Sequence, residues 1–269
     1  MKVSIITINY NNVVGLQLTI DSVLMQTAAN YEWIVIDGGS TDGSRQVIEK
    51  YARQGKFDYW CSEKDRGIYH AMNKGIAKAS GDYYLFLNSG DTFFDQDVLQ
   101  KFIASDPLAD IVYGDSEMIN ADGSSYVKIM PDEVSLDFFF KNTIIHQATF
   151  IKSVVFAKFL YDETLKVASD RKLWFQCLLD DCSFVHLPFT VCKFDLTGVG
   201  TVGKYSGELE YILNELFPIS VQKSIQELAE YKYVFPQIPN LIYFIKYRRL
   251  YKRMTEYLLR IFWLINRFS

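Results

Sequence analysis

VSIITINYNN (residues 3–12) and YEWIVIDGGSTDGS (residues 31–44) decide the fold of this 269-residue chain. Each is an apolar, β-branched run that breaks abruptly into a polar turn. Val3–Ile8 and Glu32–Asp37 are nearly continuous rather than alternating, the pattern of strands covered on both faces. Between them Val14, Leu18, Val23 and Leu24 fall at helical spacing. The turn cluster Gly38-Gly39-Ser40-Thr41-Asp42-Gly43 then leads into a helix reaching Arg53. The beat continues with strand Asp58–Cys61, helix Gly67–Lys78 and strand Asp82–Leu87, which runs into Asn88-Ser89-Gly90-Asp91. Helix Asp95–Ile103 and strand Ile111–Gly114 complete the series. Strand–helix–strand repetition predicts an α/β fold of parallel strands joined by right-handed crossovers. In such sheets ligands gather beyond the carboxyl ends of the strands, where the polar, glycine-bearing segments of this chain lie.

After Asp115 the rhythm changes. Asn120-Ala121-Asp122-Gly123, between Glu117 and Tyr126–Ile129, reads as a hairpin turn. Short helix Val134–Phe140, strand His146–Ile151, helix Ser169–Leu179 and strands Ser183–Leu187 and Val191–Phe194 follow. Thr197–Gly203 is a glycine-rich loop, read either as a lid or as a connector, and the remainder is helical. Pro236 and Pro239 separate that region from the tail.

Composition is that of a folded protein, with 49% hydrophobic and 22% charged residues. The formal charge of −4 conceals a split: residues 241–269 carry +6 and residues 1–240 carry −10. Cys61, Cys177, Cys182 and Cys192 form no CxxC pair, which argues against zinc and for reduced thiols in a cytoplasmic setting. The start resembles a strand rather than a signal peptide, and no apolar run is long enough to span a bilayer. Neither GxGxxG nor GxxxxGK[ST] occurs, so a dinucleotide cofactor and an ATPase loop are not expected.

Three constellations carry chemistry, each with a plain structural alternative. Asp37, at a strand end beside Gly38-Gly39, suits a base or ribose, or closes an ordinary strand–turn–helix connection. Asp91 offers oxygen to a hard divalent cation, or caps the next helix. Asp170, in VASDRKLW (residues 167–174), is a candidate base, or caps its own helix together with Ser169.

Taken together, VSIITINYNN, SVLMQT, YEWIVIDGGSTDGS and SEKDRGIYHAMNKGIAKASGDYYLFLNSGD, all within residues 3–91, resemble glycosyltransferase family 2. The look is that of colanic-acid-type bacterial polysaccharide transferases. The resemblance covers residues 1–115 closely and extends loosely to about residue 200. It implies a GT-A (Rossmann-like) fold: a mostly parallel sheet flanked by helices, with a C-terminal helical extension. Residues 1–204 would form the catalytic domain, divided into a donor half (1–115) and an acceptor half (116–204), and residues 205–269 the extension. It further implies an inverting transfer from a nucleotide-diphosphate sugar to a glycan or lipid-linked acceptor, assisted by Mn²⁺ or Mg²⁺. Ile8, Asn9, Tyr10, Asn11 and Asp37 would meet the nucleoside; Gly38 stands where relatives carry a second aspartate. Asp65, Arg66, Asn73, Asn88, Ser89 and Gly90 would line the nucleotide and diphosphate, and Asp91 would bind the metal. His146 and Gln147 would flank the acceptor. Asp170, 79 residues beyond Asp91, would be the base that takes the acceptor proton. A sugar nucleotidyltransferase and a non-catalytic nucleotide-sugar binder are the alternatives.

The tail has its own pattern. Tyr243, Tyr247, Leu250, Tyr251, Met254, Tyr257, Leu258, Ile261, Phe262, Ile265 and Phe268 form an apolar stripe. Lys246, Arg249, Arg253, Arg260 and Arg267 fall largely opposite it. A basic aromatic helix suits an anionic membrane surface, placing the chain peripherally at the inner face of a plasma membrane; a helix docked on the body or on a second copy is the alternative. Nucleic acid is disfavoured because the −10 body would repel it.

Overall fold

The computed structural model describes residues 1–197 and 207–225. Strands β1 (Val3–Asn9), β2 (Tyr31–Asp37), β3 (Tyr59–Ser62) and β4 (Tyr83–Phe86) alternate with helices α1 (Val13–Leu24), α2 (Ser44–Arg53) and α3 (Ile68–Ile76). The chain continues through β5 (Thr92–Phe93), α4 (Val98–Ser105), β6 (Ile111–Ile119), β7 (Ser125–Lys128) and α5 (Leu136–Lys141). A 3₁₀ turn (His146–Ala148) leads into β8 (Thr149–Lys152) and α6 (Ser153–Phe156). Helix α7 (Ser169–Leu179), strand β9 (Phe184–Asp195) and helix α8 (Glu208–Leu216) follow.

One sheet runs in the order β3-β2-β1-β4-β8-β6-β9-β5, with β7 paired to β6. The first four strands are parallel, as the repeat requires. Strand β8 enters antiparallel between β4 and β6, while β6 and β9 pair in parallel. This mostly parallel sheet, flanked by helices, has the GT-A architecture.

All seven residues of β1 are buried, and they serve two cores alternately. Ile6 and Ile8 pack with Ile34, Ile36 and the α3 residues Met72 and Ile76 on one face. Val3 and Ile5 pack with Trp33, Val35, Leu16 and Ile20 on the other. A period of two on a strand covered by helices above and below produces this division. The face carrying α3 also receives Leu173, Trp174 and Phe175 of α7 and Ile212 of α8.

Several boundaries differ from the sequence expectation. The predicted strand His146–Ile151 begins only at Thr149, because Ala148 N–H and Thr149 Oγ1 both donate to Ile145 O and curl the preceding residues. The two strands predicted over 183–194 are one, β9. Its pairing with β6 shifts register around Asp115, which accommodates Pro188. Gly114 allows that irregularity: a Cβ there would lie 2.8 Å from Phe189 O and 2.6 Å from Val191 Cγ2. The loop 198–203 and the tail 241–269 lie outside the described residues.

Helix α3 owes its depth to Gly75, where a Cβ would lie 2.4 Å from Ile6 Cγ2. Gly75→Ala gains helix propensity of at most ~1 kcal/mol. It forces α3 off a fully buried strand, and overpacking of that kind costs about 1–3 kcal/mol. Urea denaturation should show Gly75→Ala less stable than the parent; an equal or higher midpoint would contradict the close approach.

Candidate functional site

The carboxyl ends of β1, β2 and β3 stand side by side, with Asn9 opposite Asp37 and Asp37 opposite Ser62. Asp37 is fully buried. Its Oδ1 accepts from Asn9 Nδ2 at 2.7 Å and Ser40 Oγ at 2.6 Å; its Oδ2 accepts from Ser62 Oγ at 2.6 Å and Ser40 N at 3.0 Å. Burial acts to raise the Asp37 pKa, but these donors outweigh it and hold the carboxyl below its ordinary value. The side chain expected to meet a nucleoside therefore organises the loops around it. Asn11, at φ 48°, accepts from Thr41 N at 2.8 Å and fixes one loop against the other. Ile8 lies in the core, and Tyr10 projects outward, 68% exposed.

Beside this cluster lies Asp65. Its Oδ1 accepts from Lys74 Nζ at 2.6 Å and lies 3.0 Å from His70 Nδ1. The segment 88–91 forms the neighbouring wall. Asn12 Nδ2 donates to Ser89 O at 2.9 Å, and Gly90 N donates to Thr19 Oγ1 at 3.0 Å. Gly90, at φ 108°, adopts a left-handed turn that favours glycine. The Asn88 Oδ1 is buried without a hydrogen-bond partner among the described residues.

Asp91 is buried beneath that turn. Its Oδ2 accepts from Gln147 Nε2 at 3.0 Å and its Oδ1 from Asp195 N at 3.1 Å. Burial pushes its pKa up to about 7; the two donors oppose this, and the nearby Asp195 charge adds to it. Asp195, at the end of β9, binds Thr197 N and Oγ1 through Oδ1, while its Oδ2 lies 3.8 Å from the place a Gly90 Cβ would take. Among the described residues no group of three or more His, Cys, Asp or Glu could hold a metal. Divalent cations prefer oxygen donors. Both Asp91 oxygens accept hydrogen bonds from the protein, while Asp195 Oδ2 lies toward Gly90 and Asn88 Oδ1 has no partner among the described residues.

Asp170 lies in the first turn of α7, recessed but partly exposed. Its Oδ1 accepts from Arg171 N at 2.8 Å and from Tyr69 O–H at 3.4 Å. Burial raises its pKa to about 6 against these contacts; the Arg171 guanidinium is occupied by Phe139 O, at 2.6 and 2.9 Å. Tyr69 stacks on Tyr161, their rings 5.5 Å apart. Tyr161 Oη lies 2.5 Å from Nε2 of the buried His146, which burial keeps neutral with a pKa lowered to about 3.

The structure brings Asn9, Tyr10, Asn11, Gly38 and Asp65 together. It brings Asn88, Ser89, Gly90 and Asp91 together on the adjoining strand end. Other candidates have structural partners. His146 supports Tyr161, and Gln147 supports Asp91. Asn73 clamps Tyr161 through its backbone N and O, and Arg66 pairs with Glu163 at 2.5 Å. Asp195, Tyr69, Tyr161 and Glu163 were not singled out from sequence. Asp195 had a usable signal: like Asp37, it is a carboxylate that ends a strand and precedes a turn. Tyr69 and Tyr161 meet only through tertiary packing.

Comparison with known proteins places these features in a family. The family described as Glycosyl transferase family 2 matches residues 4–160. An uncharacterized glycosyltransferase of Mycobacterium tuberculosis is 37% identical over 208 residues, covering 74% of this chain and 77% of that protein. The crystal structure of Staphylococcus aureus TarS 1–349 in complex with UDP-GlcNAc shares the fold, with a TM-score of 0.64 and 18% identity. That match covers 80% of this chain and 65% of TarS 1–349. A mannosyltransferase of Pyrobaculum calidifontis in complex with GDP-Man and Mn²⁺ has a TM-score of 0.56 at 16% identity, covering 76% of this chain and 58% of that one.

The raised pKa of Asp170 has a consequence for stability. The contribution of its protonated form is complete below the ordinary aspartate value near 3.8 and is lost as pH rises through about 6. Asp170→Asn has no charge to bury and keeps an acceptor for Arg171 N. Thermal melts of the two proteins should converge below pH 4 and separate up to about pH 6, with the variant the more stable at pH 8. A variant less stable than the parent at pH 8 would contradict the burial argument.

Proposed function

The chain belongs to glycosyl transferase family 2, and on that premise we propose that it moves a sugar from a nucleotide-diphosphate donor to a glycan acceptor with inversion. The observation that carries this reading is Asp170, a recessed carboxylate with pKa about 6 held on Tyr69. Above that pH it is ionised and able to take a proton from an attacking hydroxyl. An inverting displacement needs one such base, opposite the leaving diphosphate. The strand-end cradle formed by Tyr10, Gly38, Asp65 and the 88–90 turn supports the donor side of the reading.

Asp195 and Asn88 would hold a divalent cation, with Asp91 behind them fixing the Asp195 backbone. When bound, the cation would neutralise charge on the leaving diphosphate. The protein's own residues then position donor and acceptor, which is where much of the rate enhancement in a two-substrate transfer arises. For the acceptor we infer a lipid-linked glycan of a surface polysaccharide, met at the cytoplasmic membrane face. The support is the +6 aromatic stripe of residues 241–269. No helix among the described residues is long and apolar enough to cross a membrane.

A panel of UDP-, GDP-, dTDP- and CMP-linked sugars with Mn²⁺ tests the activity. One donor class should be hydrolysed or transferred, with loss of turnover in chelator. The rate should climb about tenfold per pH unit below 6 and level off above it. Asp170→Asn should bind nucleotide yet lose at least 10²-fold in turnover, while Asp195→Asn should weaken Mn²⁺ retention in electron paramagnetic resonance titrations with nucleotide. Full turnover by Asp170→Asn would refute the base assignment.

Membrane attachment has a separate test. Liposomes containing anionic lipid should float the full chain and leave a 1–240 truncation behind, with the difference shrinking in high salt. Equal flotation of the two would exclude the tail as the anchor.

A further inference from the structure

Asp65 has an unspent hydrogen-bonding capacity. Its side chain is 9% exposed, and Oδ1 is occupied by Lys74 and His70. Oδ2 is buried without a hydrogen-bond partner among the described residues. Leaving one oxygen of a buried carboxylate unpaired is costly, so such an atom marks a place where a donor arrives from outside.

The direction of that oxygen is fixed by Gly38. A Cβ on Gly38 would lie 3.4 Å from Asp65 Oδ2, 3.1 Å from Tyr10 Cδ2 and 3.6 Å from Asn9 O. Groups at the ends of three neighbouring strands thus converge on the space that a side chain on residue 38 would fill. Tyr10 supplies an exposed aromatic ring, Asn9 a carbonyl and Asp65 a carboxylate oxygen. Both polar groups are acceptors. A ligand group entering there must present N–H, and the ring beside it favours a flat partner.

Resting on the nucleotide-sugar reading above, we propose that Asp65 determines which base the donor carries, its Oδ2 accepting the ring N–H of uracil, thymine or guanine over Gly38. Uracil N3, thymine N3 and guanine N1 carry that hydrogen. Cytosine N3 and adenine N1 present a lone pair at the same position, which repels the carboxylate and leaves it unpaired. Sites built to pair with a ligand N–H or O–H reject analogues that lack it far more strongly than apolar pockets reject a missing methyl group. Lys74 holds Oδ1 at 2.6 Å, so Asp65 cannot turn away without breaking that ion pair.

Calorimetric titration of the full chain with Mn²⁺ and UDP, CDP, GDP or ADP tests this assignment. UDP should bind at least tenfold tighter than CDP, or GDP at least tenfold tighter than ADP, and the pair that responds names the base. Blocking the hydrogen in the wild-type protein, with 3-methyluridine or 1-methylguanosine 5′-diphosphate, should cost at least tenfold. Asp65→Asn should bring the responding pair within threefold; should that variant not fold, the methylated nucleotides decide alone. Equal binding within each pair, an unaffected methylated nucleotide, or an undiminished preference in a folded Asp65→Asn overturns the proposal and leaves the donor reading standing. Failure of these four nucleotides and of dTDP to bind overturns the donor reading as well.

Discussion

One buried carboxylate, Asp37, ties together the ends of three parallel strands, and the donor side of the site is built on that tie. Parallel strands finish at the same edge, so their terminal polar groups accumulate where the core stops. Asp37 gathers Asn9 from β1, Ser62 from β3 and Ser40 from its own turn into one hydrogen-bonded cluster. Asp42 Oδ2 accepts from Val13 N at 2.7 Å, which binds the same turn to the start of α1. The loops that would surround a ligand are therefore part of the folded framework before any ligand arrives. The consequence is a division of labour. Asp37 spends its acceptor sites on the framework, whereas the neighbouring Asp65 Oδ2 has no partner among the described residues.

Asp91 repeats the device under the neighbouring strand ends, with the opposite electrostatic outcome. Both aspartates are buried, and burial acts to raise the pKa of each. Asp37 receives four hydrogen bonds and ends below its ordinary value, whereas Asp91 receives two and ends near 7. Deeper burial, fewer donors and the Asp195 charge together set the opposite sign at Asp91, since each hydrogen bond to the charged form offsets only part of the desolvation cost. Asp91 also faces the like charge of Asp195 across its own acceptor bond, an arrangement a nearby cation would relieve. Gly90 leaves the intervening space open on the Asp195 side.

The fold was legible in the sequence wherever burial on both faces imposed a continuous apolar run. Val3–Ile8, Glu32–Asp37 and Asp82–Leu87 announce strands because β1, β2 and β4 are buried almost throughout. Legibility fell where pairing rather than composition sets the structure. Strand β5 has two residues and exists through Thr92 and Phe93 pairing with Lys193 and Cys192. The antiparallel insertion of β8 leaves no local mark in Thr149–Lys152. Candidate residues followed the same rule. Asp37, Asp65, Asp91 and Asp170 are polar groups at element ends and stood out. Their assignment to ligand or to protein did not, because it depends on whether Ser40, Ser62, Gln147 or Lys74 reaches them first. Asp195 was overlooked because its strand was cut short at Phe194.

Helix α3 joins the two halves of the site, and the joint explains why so many expected ligand contacts turned inward. Asp65 precedes it, and Lys74 from its last turn returns to Asp65. From the same helix Tyr69 reaches Asp170 and Asn73 holds both backbone groups of Tyr161, while Arg66 just before it meets Glu163. The segment carrying the candidate base is thus registered against the segment carrying the base-reading carboxylate by one nine-residue helix. Gly75 lets that helix sit directly on Ile6, so its position is set by a rigid strand. A transfer reaction requires acceptor and donor to be positioned relative to each other more finely than either is relative to solvent. Arg66, Asn73 and Tyr69 all contribute to that registration, tying α3 to the segment 161–170.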